Sequence, residues 1–140
     1  MKKVFADTGY WIALLNPYDD LHNQAKKLSQ SLKSVTIVTS QMILAELLNE
    51  FSKRGENFRK ITAQFIEQLA QKPNIIIVAQ NDEQFQDGLE LYKQRPDKQW
   101  SLTDCVSFII MKEMDISEAL AYDKHFEQAG FIALLRNNCS

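Results

Sequence analysis

Four acidic side chains are the residues of this chain best suited to joint chemistry. They stand at or near predicted strand ends or in predicted helices, at Asp7, Glu46, Asp104 and Asp123. Bringing like charges together is unfavourable unless a cation offsets them, and Mg²⁺ and Mn²⁺ favour carboxylate oxygens. Such ions lower the pKa of a bound water and stabilise charge at a phosphodiester. The four acids therefore predict metal-assisted chemistry on phosphate groups, with RNA cleavage as the leading interpretation.

Each of these acids also has a structural interpretation when it is taken alone. Asp7 precedes a predicted helix and is a favoured N-cap residue, and Asp123 could close an Asx turn. Ser101 and Asp104 have the spacing of a capping box. Glu46 lies off the apolar stripe of its predicted helix, where an exposed glutamate is the ordinary expectation. These interpretations and the metal interpretation do not exclude each other.

Two threonines and a set of basic side chains could assist the acids. Thr8 and Thr103 each adjoin one acid and could orient it by a hydrogen bond, or could serve only as helix-start residues. Cations supply most of the non-specific affinity for RNA phosphates, although each could equally be a solvated surface charge. The candidates are Lys53, Arg54, Arg59, Lys60, Lys93, Arg95, Lys98, Lys124 and His125. Lys124 and His125 stand out because they directly follow Asp123.

Short apolar runs alternate with longer stretches of helical periodicity. The predicted strands are 4–6, 35–38, 75–78, 119–122 and 131–134, and the predicted helices are 8–15, 21–33, 40–54, 58–71, 82–94 and 102–114. This alternation predicts right-handed βαβ units and a three-layer α/β sandwich. The run 75–78 is apolar throughout, which predicts a strand covered on both faces.

The predicted topology gives the acids a common location. In open α/β sheets, ligands bind beyond the carboxyl ends of the central strands. Asp7 lies at such a site if the first strand is central. Asp123 lies beside it if the first strand and the strand at 119–122 are neighbours.

Length and composition restrict the class of protein. A chain of 140 residues favours one domain, which we expect to span 1–140. The net charge of −2 and the pI near 5.7 argue against a general DNA-coating protein. Of the two cysteines, Cys105 is expected to be a buried thiol and Cys139 to be exposed, with no disulfide framework. No apolar run approaches the roughly 20 residues of a membrane span, so a soluble, cytoplasmic protein is expected.

Four segments of the chain resemble the PIN-domain family, and within it the VapC-like toxin ribonucleases of prokaryotic toxin–antitoxin pairs. They are FADTGYWIALLN (5–16), QMILAELLNEF (41–51), WSLTDCVSFIIM (100–111) and ALAYDKHFEQAGF (119–131). The segments occur in the family's order and span nearly the whole chain. The WSLTDCVSF motif and the D-x-H-F-x-x-A-G-F ending are the most specific parts of the resemblance.

The resemblance implies a fold, an activity and partners. It implies a central parallel sheet of about five strands with helices on both faces. It implies an Mg²⁺- or Mn²⁺-dependent endoribonuclease that hydrolyses RNA phosphodiester bonds through metal-activated water. By position, Asp7, Glu46, Asp104 and Asp123 become its metal-binding, catalytic acids. It also implies a homodimer and a small antitoxin protein that blocks the active site.

Three other interpretations remain open. A phosphoaspartate enzyme of the haloacid-dehalogenase type would require D-x-D where this chain has Asp7-Thr8-Gly9. A receiver domain, which belongs to the same first interpretation, would require a phosphoacceptor aspartate after a later strand, and the stretch 35–40 contains none. A non-catalytic RNA-binding or scaffold domain on a PIN-like fold is the second interpretation. The third keeps the nuclease chemistry but assigns it to RNA processing outside a toxin pair.

Overall fold

A central parallel sheet organises the computed structural model, which describes residues 2–137. Its strands are Lys3–Ala6 (β1), Thr36–Ser40 (β2), Ile75–Val78 (β3), Glu118–Leu120 (β4) and Ile132–Ala133 (β5). The helices are Thr8–Leu15 (α1), His22–Ser31 (α2), Gln41–Phe51 (α3), Glu56–Gln71 (α4), Asp82–Gln94 (α5), Leu102–Glu113 (α6), Lys124–Gln128 (α7) and Leu134–Asn137 (α8). The predicted α/β/α sandwich with five parallel strands is confirmed.

The strand order β3-β2-β1-β4-β5 puts β1 in the middle of the sheet. Val4, Phe5 and Ala6 are fully buried, as expected for a parallel strand with both faces covered. The chain builds outward from β1 through β2 to β3, and then returns to lay β4 against the other side of β1. The strand order therefore reverses between β1 and β4, which is where open α/β sheets bind ligands.

The register brings the ends of β1 and β4 level with each other. Ala6 pairs with Leu120, and the Asp7 amide donates a hydrogen bond of 3.1 Å to the Leu120 carbonyl. Both topological conditions for bringing Asp7 close to Asp123 are thus met.

Two predicted boundaries near the site shift in the structure. β2 continues to Ser40, so α3 begins at Gln41, and the Ser40 hydroxyl accepts a hydrogen bond of 3.2 Å from the Ile43 amide. β4 ends at Leu120 rather than at residue 122. The predicted strand 119–122 was too long because the residues after Leu120 are also apolar, although they do not pair with β1.

The chain after β4 contains two short helices that periodicity did not reveal. α7 has five residues and α8 has four, which is too little to show a helical repeat. The predicted strand 131–134 is wrong at its end, because β5 covers two residues and Leu134 already begins α8.

The prediction that the strand at 75–78 is covered on both faces is also wrong. β3 lies at the edge of the sheet, with β2 as its neighbour, and Ile76 is 37% exposed. Ile75 and Ile77 pack against the core with partial burial. The run of β-branched residues reflects strand propensity, which does not distinguish an edge strand from a central one.

The cysteine and membrane expectations can be compared with the described part of the chain. Cys105 is a buried free thiol, as predicted, whereas Cys139 lies outside the described residues. Within residues 2–137, no helix combines the length and the apolar character needed to cross a bilayer.

Gly88 allows α5 to approach α6 closely. A Cβ atom at Gly88 would lie 2.5 Å from Cγ2 and 3.3 Å from the backbone nitrogen of the buried Val106. Such overpacking costs about 1–3 kcal/mol, whereas replacing a helical glycine with alanine gains about 1 kcal/mol in helix propensity. The absent side chain at Gly88 thus helps to position α6, the helix that carries Asp104.

We expect Gly88→Ala to lower the free energy of unfolding by about 1 kcal/mol, because the steric overlap outweighs the gain in propensity. The matched control is Gly9→Ala in α1, where a new Cβ meets nothing within 4 Å. The control should be neutral or slightly stabilising. Urea denaturation of the three proteins measures both effects, and equal stability of the two variants would contradict the steric argument.

Candidate active site

Asp7 stands directly after the central strand, at the N-cap position of α1. Its side chain makes no capping hydrogen bond, so capping does not explain an aspartate here. Burial raises the pKa of the Asp7 carboxyl from 3.8 to about 7. A hydrogen bond from the Thr8 amide lowers the pKa of Asp7 and offsets part of this rise. Repulsion from Asp104, Glu46 and Asp123 raises the pKa further. The structure therefore brings all four acids close enough to interact electrostatically.

A buried polar chain holds the end of β1 in place beside Asp7. The Trp11 indole N–H donates a hydrogen bond of 3.2 Å to the Thr39 hydroxyl, which donates one of 3.0 Å to the Ala6 carbonyl. Thr39 is fully buried and Trp11 nearly so. Buried hydrogen bonds of this kind are costly to break, so they fix the backbone from which Asp7 projects.

Glu46 is half-buried on α3, not exposed as its position off the apolar stripe suggested. Its Oε1 accepts a hydrogen bond of 2.7 Å from the Thr8 hydroxyl. Thr8 therefore links the start of α1 to the acid on α3. Its partner is Glu46, 38 residues away, rather than the adjacent Asp7.

Asp104 and Asp123 act as helix caps and as cluster members at the same time. The Ser101 amide donates to Asp104 Oδ2 and the Asp104 amide donates to the Ser101 hydroxyl, both at 3.0 Å, which completes the capping box. Asp123 Oδ1 accepts from the His125 amide at 3.0 Å and so caps α7. Burial raises the pKa of the Asp104 carboxyl, while the Ser101 amide and the His125 ring oppose the rise.

The structure places the His125 ring between these two aspartates. Nδ1 lies 2.9 Å from Asp104 Oδ2 and 3.3 Å from Asp123 Oδ1. One ligand atom from each of the three residues lies within 4.8 Å of the other two. His125 was expected to contact RNA from its position after Asp123, and sequence reasoning missed its contact with the acids. The D-x-H spacing at a helix start was the available signal.

A cleft of about 550 Å³ opens beside Glu46. Its lining residues are Thr8, Glu46, Asn49, Glu50, Lys53 and Arg54. Arg54 is held by Glu50 at 2.6 Å and lies over the Phe51 ring, 5.0 Å from its centroid. Lys53 has no ion-pair partner among residues 2–137, which leaves its ammonium group available to a bound anion.

Most of the other basic candidates already have protein partners. Arg95 pairs with both carboxylate oxygens of Asp97 at 3.0 Å and lies over Trp100, in a separate cleft of about 440 Å³. Lys60, Lys93 and Lys98 pair with Glu56, Glu90 and Asp97, and Arg59 donates to the Ser52 carbonyl. Lys124 resembles Lys53 in having no ion pair in the described chain. The RNA contacts of Lys53, Arg54, Lys124 and His125 stay predictions.

The Thr103 side chain makes no hydrogen bond to an acid within the described residues. Its carbonyl accepts a bond of 2.8 Å from the Ser107 hydroxyl inside α6. An orienting role for Thr103 stays a prediction.

The donor set fits a hard divalent cation. Burial raises the pKa of the Asp7 carboxyl to about 7, and repulsion from Asp104, Glu46 and Asp123 adds to the rise. Mg²⁺ and Mn²⁺ favour such oxygen-rich sites. A bound cation would offset the cost of burying the Asp7 charge, which is the main cause of its raised pKa, and the smaller repulsion from the other acids. Among the described residues, Asp104, Asp123 and His125 offer ligand atoms within 4.8 Å of one another, and Asp7 and Glu46 lie outside this group. That all four acids hold the cation stays a prediction.

Comparison with known proteins gives close matches over most of the chain. The 23S rRNA-specific endonuclease VapC20 of Mycobacterium tuberculosis is 30% identical over 129 residues, covering 92% of this chain and 95% of that protein. The crystal structure of Mycobacterium tuberculosis VapC20, described as a sarcin–ricin loop cleaving toxin, superposes with a TM-score of 0.82 at 27% identity. That match covers 92% of this chain and 96% of the VapC20 chain.

A more distant structure shares the fold alone. FitAcB from Neisseria gonorrhoeae gives a TM-score of 0.65 at 16% identity, covering 93% of this chain and 94% of the other. A family model for the PIN domain matches residues 4–132, which include all of β1 except Lys3 and all four acids. On this match, and on the relative of 30% identity, the chain belongs to the PIN domain family.

Proposed function

We propose that this protein is a divalent-metal-dependent endoribonuclease that hydrolyses RNA phosphodiester bonds. The observation that carries the proposal is the convergence of Asp7, Glu46, Asp104 and Asp123 at the point where the strand order reverses. Membership of the PIN domain family and the VapC20 relative support the same activity. The nuclease unit is proposed to comprise residues 1–140 as one domain.

The four acids would hold Mg²⁺ or Mn²⁺. When bound, the cation lowers the pKa of a water molecule and stabilises charge at the phosphodiester. The protein's own part is to hold the carboxylates in position. Thr8 orients Glu46 through its hydrogen bond, and the Ser101 amide orients Asp104. Lys53 and Lys124 are the cations proposed to contact RNA phosphates.

Substrate and partners are inferred from the relatives. VapC20 is a 23S rRNA-specific endonuclease and a sarcin–ricin loop cleaving toxin, so we take this ribosomal RNA loop as the first substrate to test. The protein is proposed to be the cytoplasmic toxin of a toxin–antitoxin pair, to form a homodimer and to bind a small antitoxin. A reading frame for a small DNA-binding protein immediately upstream would support the pairing over an RNA-processing role.

The competing interpretations predict different behaviour. A phosphoaspartate enzyme would need residues that this chain lacks, because Gly9 stands where D-x-D has its second aspartate and no aspartate occurs in 35–40. A non-catalytic RNA-binding domain would bind RNA without turnover and would tolerate loss of the acids. Cleavage that depends on both Mn²⁺ and the acids separates the nuclease from this alternative.

We expect Asp7→Asn to abolish Mn²⁺-dependent cleavage of a sarcin–ricin loop RNA. Loss of an outer-shell partner alone typically costs 10–100-fold, so loss of a ligand should cost at least about 100-fold. Asparagine preserves side-chain size and capping ability, and circular dichroism checks the fold. Full turnover by the folded variant would show that Asp7 has no role in catalysis.

The raised pKa of Asp7 predicts a pH-dependent stability of the metal-free protein. The unfolded chain loses the Asp7 proton near pH 3.8 and the folded protein near pH 7. Between these values the folded state binds more protons, so the free energy of unfolding falls as pH rises. Relative to wild type, Asp7→Asn should become progressively more stable from pH 4 to pH 8, by up to about 4 kcal/mol.

Urea denaturation in the presence of a chelator, at intervals from pH 4 to pH 8, measures this difference. Addition of Mn²⁺ at pH 8 should stabilise wild type more than the variant. A stability difference that is constant across this pH range would contradict the raised pKa.

We expect Lys53→Met to raise KM for RNA several-fold with a smaller effect on kcat, because it removes a phosphate contact outside the acidic cluster. The salt dependence of binding should also fall by about one counterion. Lys72→Met is the matched control. Lys72 is exposed and lies before the edge strand β3, at the end of the sheet opposite to the acids. Equal KM values for both variants would exclude the Lys53 contact.

A further inference from the structure

His125 contacts two of the four acids through a single ring nitrogen. Nδ1 lies 2.9 Å from Asp104 Oδ2 and 3.3 Å from Asp123 Oδ1. Ionised carboxylate oxygens only accept hydrogen bonds, so with both aspartates ionised the hydrogen that the two contacts share lies on Nδ1. The shorter contact is the principal hydrogen bond, and the longer one is a weaker second branch.

The same two oxygens also receive backbone hydrogen bonds. Asp104 Oδ2 accepts from the Ser101 amide, and Asp123 Oδ1 accepts from the His125 amide, each at 3.0 Å. Within the described chain, the other oxygen of each carboxylate accepts no hydrogen bond from the protein. Each aspartate thus has one oxygen committed to the protein and one oxygen left over.

The ring is held rigidly by the helix that carries it. α7 is anchored by the fully buried Phe126, whose ring packs edge-on against Phe108 of α6. One turn beyond His125, Gln128 Oε1 accepts a hydrogen bond of 3.0 Å from the Trp100 indole. The middle of α6 and the segment that precedes it are therefore both tied to α7. The His125 side chain is only 17% exposed.

We propose that His125 is a positioning residue of the metal centre: its Nδ1–H holds Asp104 against Asp123, so that Asp104 Oδ1 and Asp123 Oδ2 remain available to the cation. This inference rests on the proposed function. Hydrogen bonds that orient metal-binding carboxylates typically change metal affinity 10–100-fold when they are lost. The alternative role, direct ligation through Nδ1, would require the ring to leave both carboxylates.

The test measures binding of Mn²⁺ and Ni²⁺ alone by calorimetry, without RNA. His125→Leu removes the donor and keeps the bulk, whereas His125→Asn places an amide N–H₂ near the position of Nδ1. We expect His125→Leu to weaken the binding of Mn²⁺ and of Ni²⁺ by a similar factor, 10–100-fold. We expect His125→Asn to bind both metals with an affinity within a few-fold of wild type. All variants keep the backbone amide that caps α7.

Matched controls identify the cause of any loss. His22 Nδ1 donates a hydrogen bond of 2.7 Å to the Ala13 carbonyl in another part of the fold, so His22→Leu should leave metal binding unchanged. Asp104→Asn should abolish tight binding. If His125→Leu does not fold, His125→Gln replaces it, because its amide is displaced from the Nδ1 position by one methylene.

Three results would overturn the inference. Wild-type affinity in folded His125→Leu, with binding lost in Asp104→Asn, would refute the positioning role and leave the proposed function intact. Failure of His125→Asn to recover binding, with a larger loss for Ni²⁺ than for Mn²⁺, would identify His125 as a ligand, because imidazole suits Ni²⁺ better. Absence of metal binding by wild type would refute both the inference and the proposed function.

Discussion

Repulsion among four carboxylates is the constraint on which this structure depends. The fold gathers Asp7, Glu46, Asp104 and Asp123 near the carboxyl end of the central strand, where the other three acids repel the buried charge of Asp7. Hydrogen bonds from oriented donors offset part of that repulsion. The donors are the Thr8 hydroxyl, the Ser101 amide and the His125 ring. Burial, with a smaller contribution from this repulsion, raises the pKa of Asp7 to about 7. Such an arrangement is unfavourable without a bound cation and becomes favourable when a cation binds, as a metal-dependent hydrolase requires.

The scaffold serves this arrangement through its most buried parts. β1 is central and fully enclosed, and the hydrogen-bonded chain from Trp11 through Thr39 to Ala6 fixes its end. α6 and α7 present their acids at helix starts, where the same carboxylates complete the caps. Capping and metal binding are therefore compatible at Asp104 and Asp123, because one oxygen can serve the helix while the other stays available.

RNA binding at such a site cannot depend on overall charge. The chain has a net charge of −2, and most of the basic side chains considered above are paired with neighbouring acids or carbonyls. Lys53, at the cleft beside Glu46, is one of the few without an ion pair in the described part of the chain. Attraction of a polyanion would thus depend on the bound cation and on a small number of local contacts, which favours binding at the reaction centre over general coating of nucleic acid.

The sequence by itself determined the fold class and most of the longer elements, and it singled out four acids that interact in the structure. Helical periodicity, β-branched runs and the motifs around the acids are local signals. The sequence could not distinguish an edge strand from a central one, so the exposure of Ile76 was missed, and the short helices α7 and α8 left no periodic pattern. Only the tertiary structure decided that Thr8 pairs with Glu46 and that His125 lies between Asp104 and Asp123. The Thr8–Glu46 and His125–Asp104 contacts join residues 38 and 21 positions apart. They follow from the packing of α1 against α3 and of α7 against α6, which no local pattern encodes.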